Sequence, residues 1–220
     1  MALLGSAAIA MWWDIAMPLR AEFEDWHSHE HFPERMRIPG FRRGSRWADA
    51  GGAEGFFVLY ELDDYETLGS PGYLARLNDP TPWSARLMPH HRNMVRSQCR
   101  VVASFGGGVG RYMRTLRLSP APGRAEELCQ TLWAVLAGLP ARPGLTAAHL
   151  LRTETPDLAE TTEQRIRGGD AVADWIVLLS GYDADAVDGV DLPVAGIAAP
   201  PLAALYRLSH SLAAVDLETP

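Results

Sequence analysis

The feature that most limits how this chain can fold is a set of local signals that occurs twice, in the same order. Pro39-Gly40-Phe41 precedes the apolar run Phe56 to Leu62, which ends at Asp63. Pro143-Gly144-Leu145 precedes Trp175 to Tyr182, which ends at Asp183. A Pro-Gly pair is a turn signal. A run of aromatic and β-branched residues bounded by Gly and Asp reads as a strand. An Asp just after such a run can cap a helix N-terminus.

Filling in between these markers gives the same element order in each half. Ala8 to Met17 reads as a strand and about Arg20 to Pro33 as a helix. Gly40 to Asp49 and Gly55 to Leu62 are strands. Short helices begin at Pro71 and Pro82, each behind a capping residue, Ser70 or Thr81. Asn93 to Phe105 is a strand, and Gly106-Gly107-Gly108 is a hinge. These glycines lie between two strands, which argues against a phosphate-binding loop. After the hinge come a strand at Arg111–Ser119, a helix at Arg124–Leu139 with its leucine stripe, and strands at Leu145 and at Trp175. A short helix at Pro200-Pro201 and a last strand from Tyr206 to Val215 complete the order. Residues 156–174 are extra in the second half and read as an exposed helical insertion.

Each half is therefore βαββαβ, the ferredoxin-like order. The predicted fold class is α+β, with halves at 1–106 and 107–220. A four-stranded antiparallel sheet with helices on one face leaves its other face bare. Two such sheets in one chain can cover each other. That predicts an α/β barrel made within the chain, helices outside, with a lumen or cleft between the sheets. Pairing of each half across a homodimer is the alternative. Arg96, Gln98 and Arg100 share one strand face, Arg42 and Arg46 another, and Glu61 lies with Phe57 and Leu59. The polar face is expected to look into the barrel, where its charges must pair or bind a ligand.

Chemistry concentrates in Asp25-Trp26-His27-Ser28-His29-Glu30-His31-Phe32-Pro33-Glu34-Arg35. His27 and His31, four apart, share a helix face, and His29 points away. Pro33 is expected to end or kink the helix. Histidines at i and i+4 suit a metal, but no HExxH is present and no third ligand is evident from spacing, so no metal is assigned. A solvated helix end is the plain alternative, with cationic His at the negative end of the helix dipole. The third reading is a pocket in which His31 serves as general acid or base, Arg46 holds an anionic oxygen, and Trp26 and Trp83 form walls.

Composition excludes several functions. All 20 basic residues are Arg, so lysine Schiff-base chemistry and Walker-type phosphate binding are ruled out. A net charge of −7 argues against a nucleic-acid surface. Cys99 and Cys129 lack motif spacing and read as buried free thiols, in keeping with a cytoplasmic setting. The apolar N-terminus lacks a basic leader and is broken by Gly5, Ser6 and Asp14. It reads as neither signal peptide nor membrane span.

The run Trp26…Glu30-His31-Phe32-Pro33-Glu34, Pro39-Gly40-Phe41…Arg46-Trp47, Leu59-Tyr60-Glu61, Ser70…Tyr73…Asn78…Pro80-Thr81-Pro82-Trp83 resembles a largely uncharacterised bacterial family of the dimeric α/β-barrel superfamily, similar to EthD-like and stress-responsive barrel proteins. The resemblance covers about residues 8–105; the second half matches by order of elements. Superfamily members include cofactor-free monooxygenases, haem-degrading enzymes, isomerases, lactonases and proteins without known activity, with ligands between sheet and helices. The resemblance implies a cofactor-independent enzyme, of monooxygenase or isomerase type, acting on a small aromatic molecule beside His31. It implies Glu30, His31 and Arg46 as catalytic candidates and Trp26, Tyr60, Tyr73 and Trp83 as substrate-binding ones. Relatives carry Tyr in the place of His27, which sets that residue outside the implied roles. No metal or nucleotide cofactor is implied, and nothing selects a haem ligand among the seven histidines. A non-catalytic small-molecule binding protein and a structural barrel with a filled lumen remain open.

Overall fold

A computed structural model describes residues 3–217. Its eight strands are β1 (Ala7–Asp14), β2 (Phe41–Asp49), β3 (Gly55–Leu62), β4 (Arg92–Gly106), β5 (Tyr112–Leu118), β6 (Leu145–Thr153), β7 (Trp175–Gly181) and β8 (Leu202–Ala213). They close into one antiparallel barrel in the order β1-β3-β2-β8-β5-β7-β6-β4. Each half contributes four neighbouring strands, β4-β1-β3-β2 and β8-β5-β7-β6. The two are sewn together by β2–β8 and β4–β6. Closure removes the sheet edges that two separate four-stranded sheets would expose.

The repeated turn signals do the same work twice. Gly40 has φ +93° and Gly144 φ +91°. The Gly40 carbonyl accepts from Asp63 N at 2.8 Å, and the Gly144 carbonyl accepts from Tyr182 N at 2.9 Å. A Cβ on Gly144 would stand 2.3 Å from Ala186 Cβ. With strain and clash together, Gly144→Ala is expected to cost about 1–3 kcal/mol in chemical denaturation.

Strand alternation separates two kinds of packing. Ala8, Ala10 and Trp12 of β1 point inward with Trp47, Phe57, Leu59, Cys99, Leu151, Ile176 and Leu178, and together they fill the lumen. Trp12 Nε1 donates to Thr115 Oγ1 at 3.1 Å, and Trp47 Nε1 to the Gly110 carbonyl at 3.4 Å, so neither indole is left unpaired. At one end of the lumen Arg43 grips Glu61 with two bonds of 2.7 and 2.9 Å. Ile9, Met11, Trp13, Phe56, Val58 and Tyr60 point outward, under α1 (Arg20–Trp26), α2 (Phe32–Met36), α3 (Pro71–Asn78) and α4 (Pro82–Leu87). In the second half the outer face is leucine-rich beneath α5 (Ala125–Leu136) and α7 (Ala184–Asp188).

Four expectations change. The lumen is packed and offers no cleft between the sheets. The polar face does not look inward: Arg46 and Arg96 lie on the helix-facing side, and Glu61, with its partner Arg43, is on the lumen side with Phe57 and Leu59. The physical reason is that a lumen lined by Trp, Phe and Leu offers few partners for a charge, whereas the helix side carries some. Pro200-Pro201 starts no helix; it leads directly into β8. Finally, the insertion is not an exposed appendage. Its helix α6 (Thr162–Arg167) belongs to the second half but lies against α3 and the turn Met88–His90 of the first. Among the described residues no helix is long and apolar enough to cross a membrane.

Candidate functional site

The site begins with Pro33. Its ring cannot sit over the carbonyl four residues back in an α-helix, and it has no N–H to give. The helix does not stop there, as the proline rule suggests. It widens to a π turn over His27–His31, in which Phe32 N donates to the His27 carbonyl, and resumes as α2 through Met36. Such turns recur at functional sites. This one turns His27 and His31 together toward the sheet, rings stacked 5.3 Å apart. His31 also lies 4.7 Å from the Trp26 ring. His29 points away, its side chain 76% exposed and paired with Asp25 at 2.7 Å. The solvated-helix-end reading therefore fits His29 alone.

Beneath the π turn is a cavity of about 40 Å³ between the helices and the outer face of β1, β3 and β4. It brings together Trp26, His31, Tyr60 and Tyr73, four of the residues singled out from the sequence. Glu30, Arg46 and Trp83 do not line it. Glu30 accepts from Trp26 Nε1 at 3.1 Å and from Thr81 Oγ1 at 2.5 Å. Thr81 in turn caps α4 by accepting from Ser84 N, so Glu30 fixes the Trp26 wall to the start of α4. Arg46 donates to the Glu24 carbonyl at 3.3 Å and to Ser28 Oγ at 3.1 Å. Burial pulls it down to about 10, and it stays cationic at neutral pH. Trp83 is half-buried at the edge of the first-half core.

The cavity adds Arg35 and Arg96, which the sequence reading named without a role in this site, and His91, Glu163 and Arg167, which it passed over. Glu163 and Arg167 arrive on α6, whose start is fixed by a capping box between Thr161 and Gln164. The segment that follows docks on β4. β1 covers one edge of β4 along its first half, and β6 pairs only from Cys99 onward. The open stretch of edge is filled by residues 171–173: Arg96 N donates to the Ala171 carbonyl, and Ala171 N to the Met94 carbonyl. The capping-box spacing and the pair Glu163/Arg167 at i and i+4 were the available signals; neither says what the helix packs on.

Charges in the site are mostly matched. Arg35 is bonded to Glu163 and lies 3.7 Å from Glu34. Arg167 lies 3.4 Å from Glu163 and 2.9 Å from Asp170. Arg96, 8% exposed, donates to Tyr73 OH at 3.0 Å and lies in no ion pair among the described residues. Burial pushes the imidazoles of His27 and His31 well below the usual histidine range, with Arg46 adding to the effect at His27 and Arg35 at His31. His91 falls to about 4, also through burial, although its Nδ1 donates to the Met88 carbonyl. All three are neutral at pH 7. Burial raises Tyr60 well above the usual phenol range.

Hydrogen bonding is incomplete here more than elsewhere. Nine buried side-chain polar atoms lack a hydrogen-bond partner among the described residues, and three of them, Glu34 Oε1, Arg35 Nη1 and Arg114 Nε, still lie within 4 Å of an opposite charge. Five belong to residues lining this cavity: Trp13 Nε1, His27 Nδ1, His31 Nδ1, Arg35 Nη1 and Tyr60 OH. Each unmade bond costs about 1–3 kcal/mol. Among the described residues, no three His, Cys, Asp or Glu side chains converge in a way that would hold a metal ion.

No protein-family profile matches the chain, and no curated protein matches it significantly in sequence. Solved structures do match in fold. An anthrone oxidase-like protein superposes with a TM-score of 0.67 at 13% identity, over 95% of this chain and 93% of its own. A provisionally named monooxygenase from Fusobacterium nucleatum gives 0.65 at 7% identity, over 96% of each chain. Another, from Lactobacillus acidophilus, gives 0.60 at 9%, over 95% of this chain and 97% of its own. At these identities the likeness is one of fold: this chain is a dimeric-type α/β barrel of ferredoxin-like halves, closed within a single polypeptide.

Proposed function

We propose that this barrel is a cofactor-independent enzyme that admits a small organic molecule to the cavity beside His31 and moves a proton there. The observation that carries this reading is the gathering of unpartnered polar atoms on the residues around one cavity. Natural interiors keep such groups paired, and a cluster of exceptions calls for a partner from outside. The names of the fold neighbours, an anthrone oxidase-like protein and two monooxygenases, point the same way.

In this proposal His31 is the general base. It is neutral because it is buried, and a neutral imidazole with a free nitrogen can take a proton at pH 7. The proton comes from an acidic C–H or O–H of the substrate, and the electron pair left behind resides on oxygen. Arg96, steadied by Tyr73, stabilises that oxyanion. Trp26 and Tyr60 bound the substrate, and Glu30 holds Trp26 in place. This proton abstraction is a first step open both to an isomerase and to an oxygenase that uses dioxygen as its second substrate. A space of about 40 Å³ holds a few waters. An organic substrate therefore requires the cavity to enlarge.

The filled lumen favours a second reading, a structural barrel without a ligand. It leaves the polar cavity on the helix side unexplained. A carrier that binds without reaction is the third outcome. Deuterium incorporation from solvent into aryl 1,3-diketones and hydroxyaryl ketones, followed by NMR, separates them. Wild-type protein is expected to accelerate exchange, and His31→Asn to lower the rate at least about 100-fold. Binding without exchange supports the carrier, and neither binding nor exchange supports the structural barrel.

A further inference from the structure

The charges around the cavity do not sum to zero. Arg35, Arg96 and Arg167 face Glu163 and Asp170. Among the described residues one further carboxylate pairs with them: Glu34 lies 3.7 Å from Arg35 and 3.5 Å from the half-exposed Arg76. Adding that pair changes nothing. Three guanidiniums against two carboxylates leave one cation over, and the pairing says which. Arg35 and Arg167 both have carboxylates in contact, whereas Arg96 bonds only to the Tyr73 hydroxyl, and Asp170 and Glu163 act on it without contact. A buried guanidinium with no carboxylate in contact is a ready seat for an anion from outside the chain.

From this imbalance we infer that the cavity takes a ligand bearing one negative charge on oxygen, a carboxylate or the enolate or phenolate of a carbon or oxygen acid, seated on Arg96. The inference rests on the catalytic reading above for the choice of cavity, and it adds the ligand's charge. The lining supplies the rest of the description. Trp13 Nε1 is a donor without an acceptor among the described residues, so the ligand brings an acceptor oxygen. Met11, Met88 and Met94 form an apolar, deformable wall, suited to a flat hydrocarbon body of variable outline. In the second half, leucines under α5 occupy the equivalent place.

Matched carboxylate and amide pairs test the charge separately from the chemistry. Acetate, benzoate and 2-naphthoate, with acetamide, benzamide and 2-naphthamide, would be titrated into full-length protein at pH 7 by calorimetry. At least one carboxylate is expected to bind ten or more times tighter than its amide. Arg96→Met should remove that preference and Arg96→Lys should keep most of it. Equal affinity for carboxylate and amide overturns the inference, as does failure of every carboxylate to bind. So does a preference that survives in Arg96→Met. The comparison of acid with amide on wild-type protein stands even if a variant fails to fold. A carboxylate preference without proton exchange in any ketone would leave the charge assignment standing and remove the catalytic one. Exchange lost in His31→Asn, with acids and amides bound alike, would do the reverse.

Discussion

Between pH 6.5 and about 4 the protein is expected to lose stability steeply. His27, His31 and His91 around the cavity and His149 at the barrel seam are all held below the usual histidine value by burial, the last two at about 4. In the unfolded chain each would titrate near 6.5. Above that pH both states are neutral and these groups contribute nothing to the pH dependence. Below it the unfolded chain binds protons that the folded chain refuses, so stability falls with pH until the folded-state values are reached. Each histidine adds up to about 1.4 kcal/mol per pH unit. Four acting together reach about 5 kcal/mol per unit, enough to unfold a domain of ordinary stability within about two units. Urea denaturation from pH 7.5 to 4.5 measures the slope. A flat profile would mean that the histidines are solvated or already charged. Replacing His149 with Gln should reduce the slope by about one proton without touching the cavity.

The second large effect concerns a contact between the halves. Glu163 is 3% exposed and serves Arg35 from α2 and Arg167 from its own helix. Glu163→Ala strips a carboxylate from two buried guanidiniums, and breaking a buried pair from one side costs about 3–5 kcal/mol. An exposed pair gives the comparison. Glu22 and Arg86 also meet, with side chains 41% and 63% exposed, and Glu22→Ala is expected to cost less than about 1 kcal/mol. Chemical denaturation of both variants checks the contrast. Equal losses would mean that α6 does not rest on the first half. The double variant Glu163→Ala, Arg35→Met should recover part of the loss, since it removes one orphaned cation along with its partner.

Much of the architecture was legible because its determinants are local. Pro39-Gly40 and Pro143-Gly144 specify the same turn in both halves, and β3 and β7 announce themselves by composition. The bare faces of two sheets have few ways to be covered, which led to the barrel. What could not be read is the choice between faces and partners. Strand alternation puts Arg96 and Cys99 on opposite sides, but only the closed barrel says which side is dry. Pro33 carries a correct local rule, and the helix evades it by widening one turn. Arg35 and Glu163 are separated by 128 residues, and no spacing rule reaches that far. Arg46 attracted attention as an arginine on a strand beside the histidine helix, yet its guanidinium is spent on the Glu24 carbonyl and Ser28. Arg96, three strands away around the sheet, faces the cavity and was read as facing the barrel interior.

A small molecule is expected to bind under the π turn on the helix side of the first half, and not in the barrel. Methionine methyl NMR distinguishes the two places, because Met11, Met88 and Met94 line the cavity and Met113 points into the lumen. On addition of benzoate, the first three methyl signals are expected to shift while Met113 stays in place. Movement of Met113 with the other three unchanged would contradict it.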